Sequence, residues 1–264
     1  MATSRVDALM VDHVHQRTQS LTPTDLLSVM MASQGVNRRS AKASLTRCVE
    51  NNLLTYRQQL GRTVVVPSLN CYYPLVSGVV LAPPHLPGLR DGTHCISMKE
   101  GISFGNGTHP TTRLCAGLMV AASQNGIRWQ QALDLGTGTG VLSLLALKLG
   151  CDHVDATEID PIAMHDAREN ALFNDFSHRL TVYHADGFCS VTLYQMVTAN
   201  LRYPTLVSLK GTITSWVDTG GDLILSGIKE GEEERVKAVY SSSFVLKDEK
   251  SSKGWVGLHL KKSN

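Results

Sequence analysis

Between Ala132 and Gly150 the chain reads ALDLGTGTGVLSLLALKLG: a short apolar run, three glycines at alternate positions, then an apolar stretch of helical length. The pattern predicts a strand that turns through Gly136, Gly138 and Gly140 into an amphipathic helix. Small residues at such a turn let a ligand approach the backbone, and the helix N-terminus presents free amide groups. The unit recurs downstream. HVDATEIDPIAMHDARENA is again strand then helix, RLTVYHADGF a third strand ending at Asp186, and QMVTANLRYP a fourth ending at Asn200. Strands alternating with helices specify a parallel sheet covered on both faces, so the expected fold is α/β with a Rossmann-like sheet.

The glycine spacing narrows the ligand. A dinucleotide fingerprint needs G-x-G-x-x-G, and the position of its third glycine is held by Val141. The run is instead D-x-G-x-G-x-G. Asp134, just ahead of the turn, would repel a pyrophosphate and suit a ligand bearing an ammonium group. S-adenosylmethionine has the ammonium and no phosphate. Polar residues at the other strand ends complete the constellation. Glu158 ends the second strand about twenty residues after the loop, where an acid accepts both ribose hydroxyls. Asp186 is placed to receive the adenine amino group, and Asn200 closes the fourth strand. Asp160 with Pro161 reads as a helix cap and first-turn pair.

Composition excludes more than it assigns. The formal net charge of 264 residues is +2, which makes no global electrostatic case for nucleic acid or acidic membranes. No apolar run approaches the ~20 residues of a membrane span. The six cysteines are scattered without a C-x-x-C pair, and the ten histidines are dispersed, so no metal site is expected. Reduced thiols point to a cytoplasmic protein.

Three segments follow from the patterning: 1–67, a connector of strand and loop over 68–103, and 104–264. In the first, Val6, Leu9, Met10 and Val14 fall at helical spacing. A second helix has Thr22 as cap, Pro23 at its first position and Gly35 as its stop. In a third, Ala41, Leu45, Cys48, Val49 and Leu53 make an apolar stripe, with Arg39, Lys42 and Arg47 on the other side. LTYRQQLGRTVVVP then reads as two strands about a turn at Leu60–Gly61, stopped by Pro67. This order resembles a winged helix-turn-helix domain. Counted to Val66, the segment carries a net charge of +4 against −2 for the remainder. That leaves nucleic acid open as a partner through residues 1–67, although few phosphate contacts are on offer. An acceptor protein or a second subunit, as in a homodimer, is the expected partner.

FGNGTHPTTRLC, from Phe104 to Cys115, is too polar for core. Glycines at 105 and 107 permit a tight loop, and Thr108 or Thr111 is expected to cap a helix beginning near Arg113. His109 reads either as a loop histidine bonding a nearby backbone group or as a residue that positions or deprotonates an acceptor.

Together FGNGTHPTTRLC, DLGTGTGVLSLLALKLG, EIDPIAMHDARENA, the AN at 199–200 and LILSGI closely resemble the ribosomal-protein lysine methyltransferase family, whose members methylate a large-subunit ribosomal protein. The resemblance covers roughly residues 96 to 262. It departs at Asn106, where the family has Thr, at Glu158, where it has Asp, and in LRYP after Asn200. It implies a seven-stranded methyltransferase sheet and S-adenosylmethionine as cofactor, held by Thr112, Gly136, Glu158 and Asn200. It further implies that the 104–112 loop packs over the methionine half, with Phe104 against the methyl-bearing side. Asn200 would aim an acceptor amine through its carbonyl oxygens. Three other functions compete. NLRY is a degenerate Asn-Pro-Pro-Tyr motif, in which Asn200 would bind an adenine amino group and Tyr203 stack on a flipped base. The N-terminal segment could instead be the dimerisation domain of a small-molecule methyltransferase, or the chain a cofactor-sensing transcription factor.

Overall fold

Local capping chemistry sets the first elements. The computed structural model describes residues 4–15, 20–59, 61–68, 72–86, 88–89, 92–99 and 109–263. The chain divides into two compact units, Met1–Tyr73 and Pro74–Asn264.

In the first unit, α1 (Arg5–His15), α2 (Pro23–Gln34) and α3 (Arg38–Glu50) precede an antiparallel ribbon of β1 (Leu54–Gln59) and β2 (Arg62–Pro67). Thr22 Oγ1 accepts from the Asp25 amide at 3.2 Å at the head of α2, and Gly35 ends it with φ 63°. Asn37 caps α3 by accepting from the Ser40 amide at 2.9 Å. Met10, Leu26, Met30, Ala41, Leu45, Cys48, Leu54 and Val65 form the core, with Val6, Leu9, Val49 and Leu53 packed against it. The expected apolar stripes therefore meet one another. Gly61 takes φ 75° in the ribbon turn; Leu60 lies outside the described residues.

The basic side of α3 differs from expectation at one residue. Arg39, Lys42 and Arg47 are all exposed, but Arg47 is committed to a partner. Its Nη2 donates to Asp7 Oδ1 at 2.7 Å and its Nε to Asp7 Oδ2 at 3.1 Å. Asp7 is only 4% exposed and also accepts from the Ser44 hydroxyl. Burial opposes the Asp7 charge, yet the hydrogen bonds from Arg47, Ser44 and Ser4 outweigh it and hold the carboxyl well below the usual range.

A three-stranded sheet comes next along the chain, β3 (Tyr73–Val76), β4 (Val79–Ala82) and β5 (His94–Ser97), in which β4 and β5 are parallel. The remainder runs α4 (Pro110–Gln124), β6 (Gln131–Leu135), α5 (Val141–Lys148), β7 (His153–Glu158), α6 (Pro161–Phe173), β8 (Leu180–His184), β9 (Tyr194–Asn200), α7 (Tyr203–Ser208), α8 (Lys210–Trp216), β10 (Val217–Lys229), α9 (Glu233–Tyr240), β11 (Phe244–Ser252) and β12 (Trp255–Lys262). The strands form one seven-stranded sheet in the order β11-β12-β10-β9-β6-β7-β8. All neighbours are parallel except β12, which is antiparallel to both β10 and β11. The central strands, covered on both faces, are mostly apolar, as Leu133, Leu135, Val197, Ala199, Leu223 and Leu225 show, with Asp134, Thr198 and Asp222 among the buried polar exceptions. Strand order reverses between β6 and β9. Crevices outside the carboxyl ends of strands at such a point are where open α/β sheets bind ligands.

Two expectations are corrected here. The helix after the glycine loop is not amphipathic: Val141 to Leu147 are all buried, because α5 packs against β6, β7, α4 and β5. The third strand stops at His184, two residues short of Asp186, where pairing with Glu158 ends.

Candidate functional site

The glycine loop turns sharply at the end of β6. Gly136, Gly138 and Gly140 have φ of 70°, 57° and 84°, a region that costs any residue with a Cβ. At Gly140 a Cβ would also press to 3.2 Å on Ala167 of α6, so the third glycine serves helix packing. The amides of Gly136 and Thr137 both donate to Thr157 O at 2.9 Å, which ties the loop to β7.

Asp134 requires a correction. Its carboxylate, expected to meet a ligand's ammonium, is 2% exposed and accepts from Thr137 Oγ1, Ser143 Oγ and Thr198 Oγ1, each at 2.7 Å. It holds the loop from behind. Burial pushes its pKa up, opposed by those three hydroxyls. None of the three was singled out from the sequence, although Thr and Ser flanking an acid at i+3 and i+9 are a visible signal.

Glu158 stands at the end of β7 and reaches the loop. Its Oε2 accepts from Gly138 N at 2.9 Å, and its Oε1 from Ile159 N at 2.7 Å and Asp160 N at 3.0 Å. Asp160 in turn caps α6, accepting from Ile162 N at 2.9 Å ahead of Pro161. Ile159, 63% exposed, places apolar surface directly beside the carboxylate. Asp186 is exposed in the turn beyond β8, where its amide donates to His184 Nδ1 at 3.2 Å.

Across the crevice, Asn200 ends β9 and its Nδ2 donates to Thr112 Oγ1 at 3.5 Å. Thr112 is 1% exposed on α4, so it orients the amide and leaves Oδ1 as the acceptor. His109 is itself the cap of α4, which begins at Pro110 and not near Arg113. Its Nδ1 accepts from the Thr111 amide at 3.3 Å and lies 2.7 Å from Thr111 Oγ1. Thr111 is therefore a partner of the cap, and Thr108 lies outside the described residues. Nδ1 accepting places the ring proton on Nε2. Partial burial lowers the imidazole pKa and so favours the neutral ring. The ring also meets Trp255 edge-on, 5.2 Å between centroids. Phe104 lies outside the described residues. The structure thus brings Thr112 to Asn200 and Glu158 to Gly138, and sets Asp134 behind the loop.

Comparison with known proteins agrees with this arrangement. Residues 76–263 match the family model described as Ribosomal protein L11 methyltransferase (PrmA). Among curated relatives, the ribosomal protein L11 methyltransferase of Polynucleobacter necessarius is 37% identical over 170 residues, 62% of this chain and 50% of its own length. That of Xylella fastidiosa is 38% identical over 162 residues, 61% of this chain and 53% of the relative. The Bordetella parapertussis protein is 35% identical over 198 residues, 75% and 61% of the two chains. The chain thus spans about half the length of the first two relatives. A solved ribosomal protein L11 methylase from Lactobacillus delbrueckii subsp. bulgaricus shares the fold, with a TM-score of 0.64 at 24% identity, covering 73% of this chain and 99% of that one. From the glycine loop through Asn200 to the last strand, the chain belongs to the ribosomal protein L11 methyltransferase family.

Proposed function

We propose that this protein is an S-adenosylmethionine-dependent methyltransferase that methylates a protein amino group, on a lysine or an N-terminus. The observation that carries this reading is the Asn200 amide, anchored by Thr112 at the end of β9 and facing the switch point that also holds the glycine loop and Glu158.

The residues fit that cofactor. Glu158, beside the Gly138 amide at the end of β7, stands where an acid accepts ribose hydroxyls. Gly136 and Gly138 would hold the methionine half with Thr112 and Phe104, Glu158 the ribose hydroxyls, and Asp186 the adenine amino group beside the apolar surface of Ile159. Asp134 contributes by ordering the loop. When bound, the cofactor supplies an electrophilic methyl group on a sulfonium. The protein's part is alignment, since in-line displacement rewards position above all. Asn200 accepts from the incoming amine through its carbonyl oxygens and points the lone pair. A lysine amine has an ordinary pKa of ~10.4, which a partly desolvated pocket lowers toward the neutral, reactive form. His109 shapes the acceptor side against Trp255 instead of taking the proton, because its Nδ1 is spent on the cap.

Residues 1–67 have the helix order and ribbon of a winged helix-turn-helix domain and lie outside the matched region. With Arg47 paired to Asp7, the free cationic surface of α3 shrinks, which favours recognition of the acceptor protein or a second subunit over nucleic acid. Tyr203 is half-buried against the core of the sheet, which disfavours stacking on a flipped adenine. A cytoplasmic site of action fits a ribosomal-protein acceptor of the kind the relatives are named for. Incubating a cell lysate with the protein and methyl-labelled cofactor tests the reading. Label is expected in protein; label in nucleic acid or small molecules alone would overturn it.

A further inference from the structure

Leu201 follows Asn200 directly, and two glycines far apart in sequence, one just past β6 and one in β10, the strands flanking β9, make room for it. A Cβ at Gly136 would come within 2.7 Å of Leu201 Cδ2. A Cβ at Gly227 would fall 2.3 Å from Leu201 O and 2.7 Å from its carbonyl carbon. Both glycines are left-handed, with φ of 70° and 82°. Leu201 N donates to Ser226 O at 3.1 Å, and Ser226 Oγ donates to Val256 O at 2.9 Å. The Leu201 side chain therefore rests on the first glycine of the loop after β6, while its backbone lies flat on a glycine of β10.

Resting on the methyltransferase reading, we infer that Leu201 is a brace that fixes Asn200 relative to the glycine loop, with Gly136 and Gly227 as its two seats. All three are positioning residues. Asn200 and Leu201 share a peptide unit, so whatever immobilises the Leu201 backbone also sets the direction of the Asn200 carbonyl. The cofactor loop and the acceptor-aiming amide come from different strands, β6 and β9, and main-chain pairing between these strands stops at Leu135 and Ala199. Beyond that point the Leu201 side chain joins the two turns. The seats differ in what they meet. At Gly136 a new methyl would push the end of a flexible side chain, whereas at Gly227 it would push backbone, which yields only if residues 200–201 move.

The test uses the full chain and two probes. One is S-adenosylhomocysteine. The other is sinefungin, which carries an amine where the cofactor carries its methyl group, so that the amine meets the acceptor-side carbonyls. The wild-type protein should prefer sinefungin by about tenfold, one charge-assisted hydrogen bond. Gly227→Ala should keep S-adenosylhomocysteine affinity within about threefold and lose that preference. Gly136→Ala should weaken S-adenosylhomocysteine binding, and by less in a Leu201→Ala background, where the side chain it strikes is gone. A sinefungin preference that survives Gly227→Ala would overturn the brace, as would an equal Gly136→Ala penalty in both backgrounds. If Gly227→Ala does not fold, the Gly136–Leu201 coupling decides alone. A wild-type protein that binds neither probe counts against the methyltransferase reading; the same coupling, read from melting temperatures, then still decides the brace.

Discussion

Three hydroxyls surround the Asp134 carboxylate at the end of β6, and their number shapes what substitution does there. Asp134→Ala removes the acceptor common to all three, leaving Thr137 and Ser143 only each other at 2.9 Å, and is expected to destabilise the fold by about 1–3 kcal/mol more than Asp134→Asn. Urea unfolding of both variants checks this. Because burial raises the folded-state pKa, the stability this group contributes is present at acid pH and is lost as pH rises through the folded value. Asp134→Asn should therefore gain stability relative to the wild-type protein as pH rises above roughly 3.9. The opposite trend would mean that the hydroxyls outweigh burial. Glu158 stands in the crevice and its substitution should act on binding. Glu158→Ala is expected to weaken S-adenosylhomocysteine binding by about 1.5–3 kcal/mol for each ribose hydroxyl bond removed, read by calorimetry in a folded variant. Glu158→Asp should cost less.

Elements in the first unit are joined by one polar node as well as by their apolar stripes. Asp7 on α1 accepts from Arg47 and Ser44 on α3 and so clamps the two helices together. Asp7→Asn should destabilise the α1–α3 pair by about 1–2 kcal/mol, allowing for screening at the half-exposed Arg47. Amide exchange over α1 and α3 of the full chain measures it. With the folded pKa lowered, the clamp is present above the ordinary carboxylate value of ~3.9 and is lost as pH falls through the folded one. The protection gap between the wild-type protein and Asp7→Asn should close in acid. The caps of α2 and α6 were readable because Thr22-Pro23 and Asp160-Pro161 are complete within adjacent residues. The cap of α4 was not, since histidine is an uncommon cap and two threonines stood nearby as better candidates.

On the scale of the molecule, two compact units meet the family match unequally: residues 76–263 match and the first unit does not. Deleting residues 1–73 is expected to leave S-adenosylhomocysteine affinity unchanged and to abolish methylation of the native acceptor. A truncated protein that methylates that acceptor at full rate would remove the recognition role. Duplex binding lost on changing Arg39 and Lys42 together to Ala would transfer that role to nucleic acid.

What the sequence alone determined was local or periodic. Apolar runs ending in Glu158 and Asn200, alternating glycines and helix-start pairs each write their structure within a few residues, because backbone conformation and capping are short-range. It thereby placed the parallel strands and Glu158 at the end of the second, while Asp186 fell two residues beyond the third. Tertiary structure decided which way each side chain faces. Asp134 turns inward because hydroxyls from α5 and β9 converge on it, Arg47 is claimed by an acid 40 residues earlier, and α5 is enclosed by a second sheet. Leu201 looked like an ordinary apolar residue until Gly136 and Gly227 were seen on either side of it. Such partners lie far apart along the chain, and only folding brings them within hydrogen-bonding or van der Waals range.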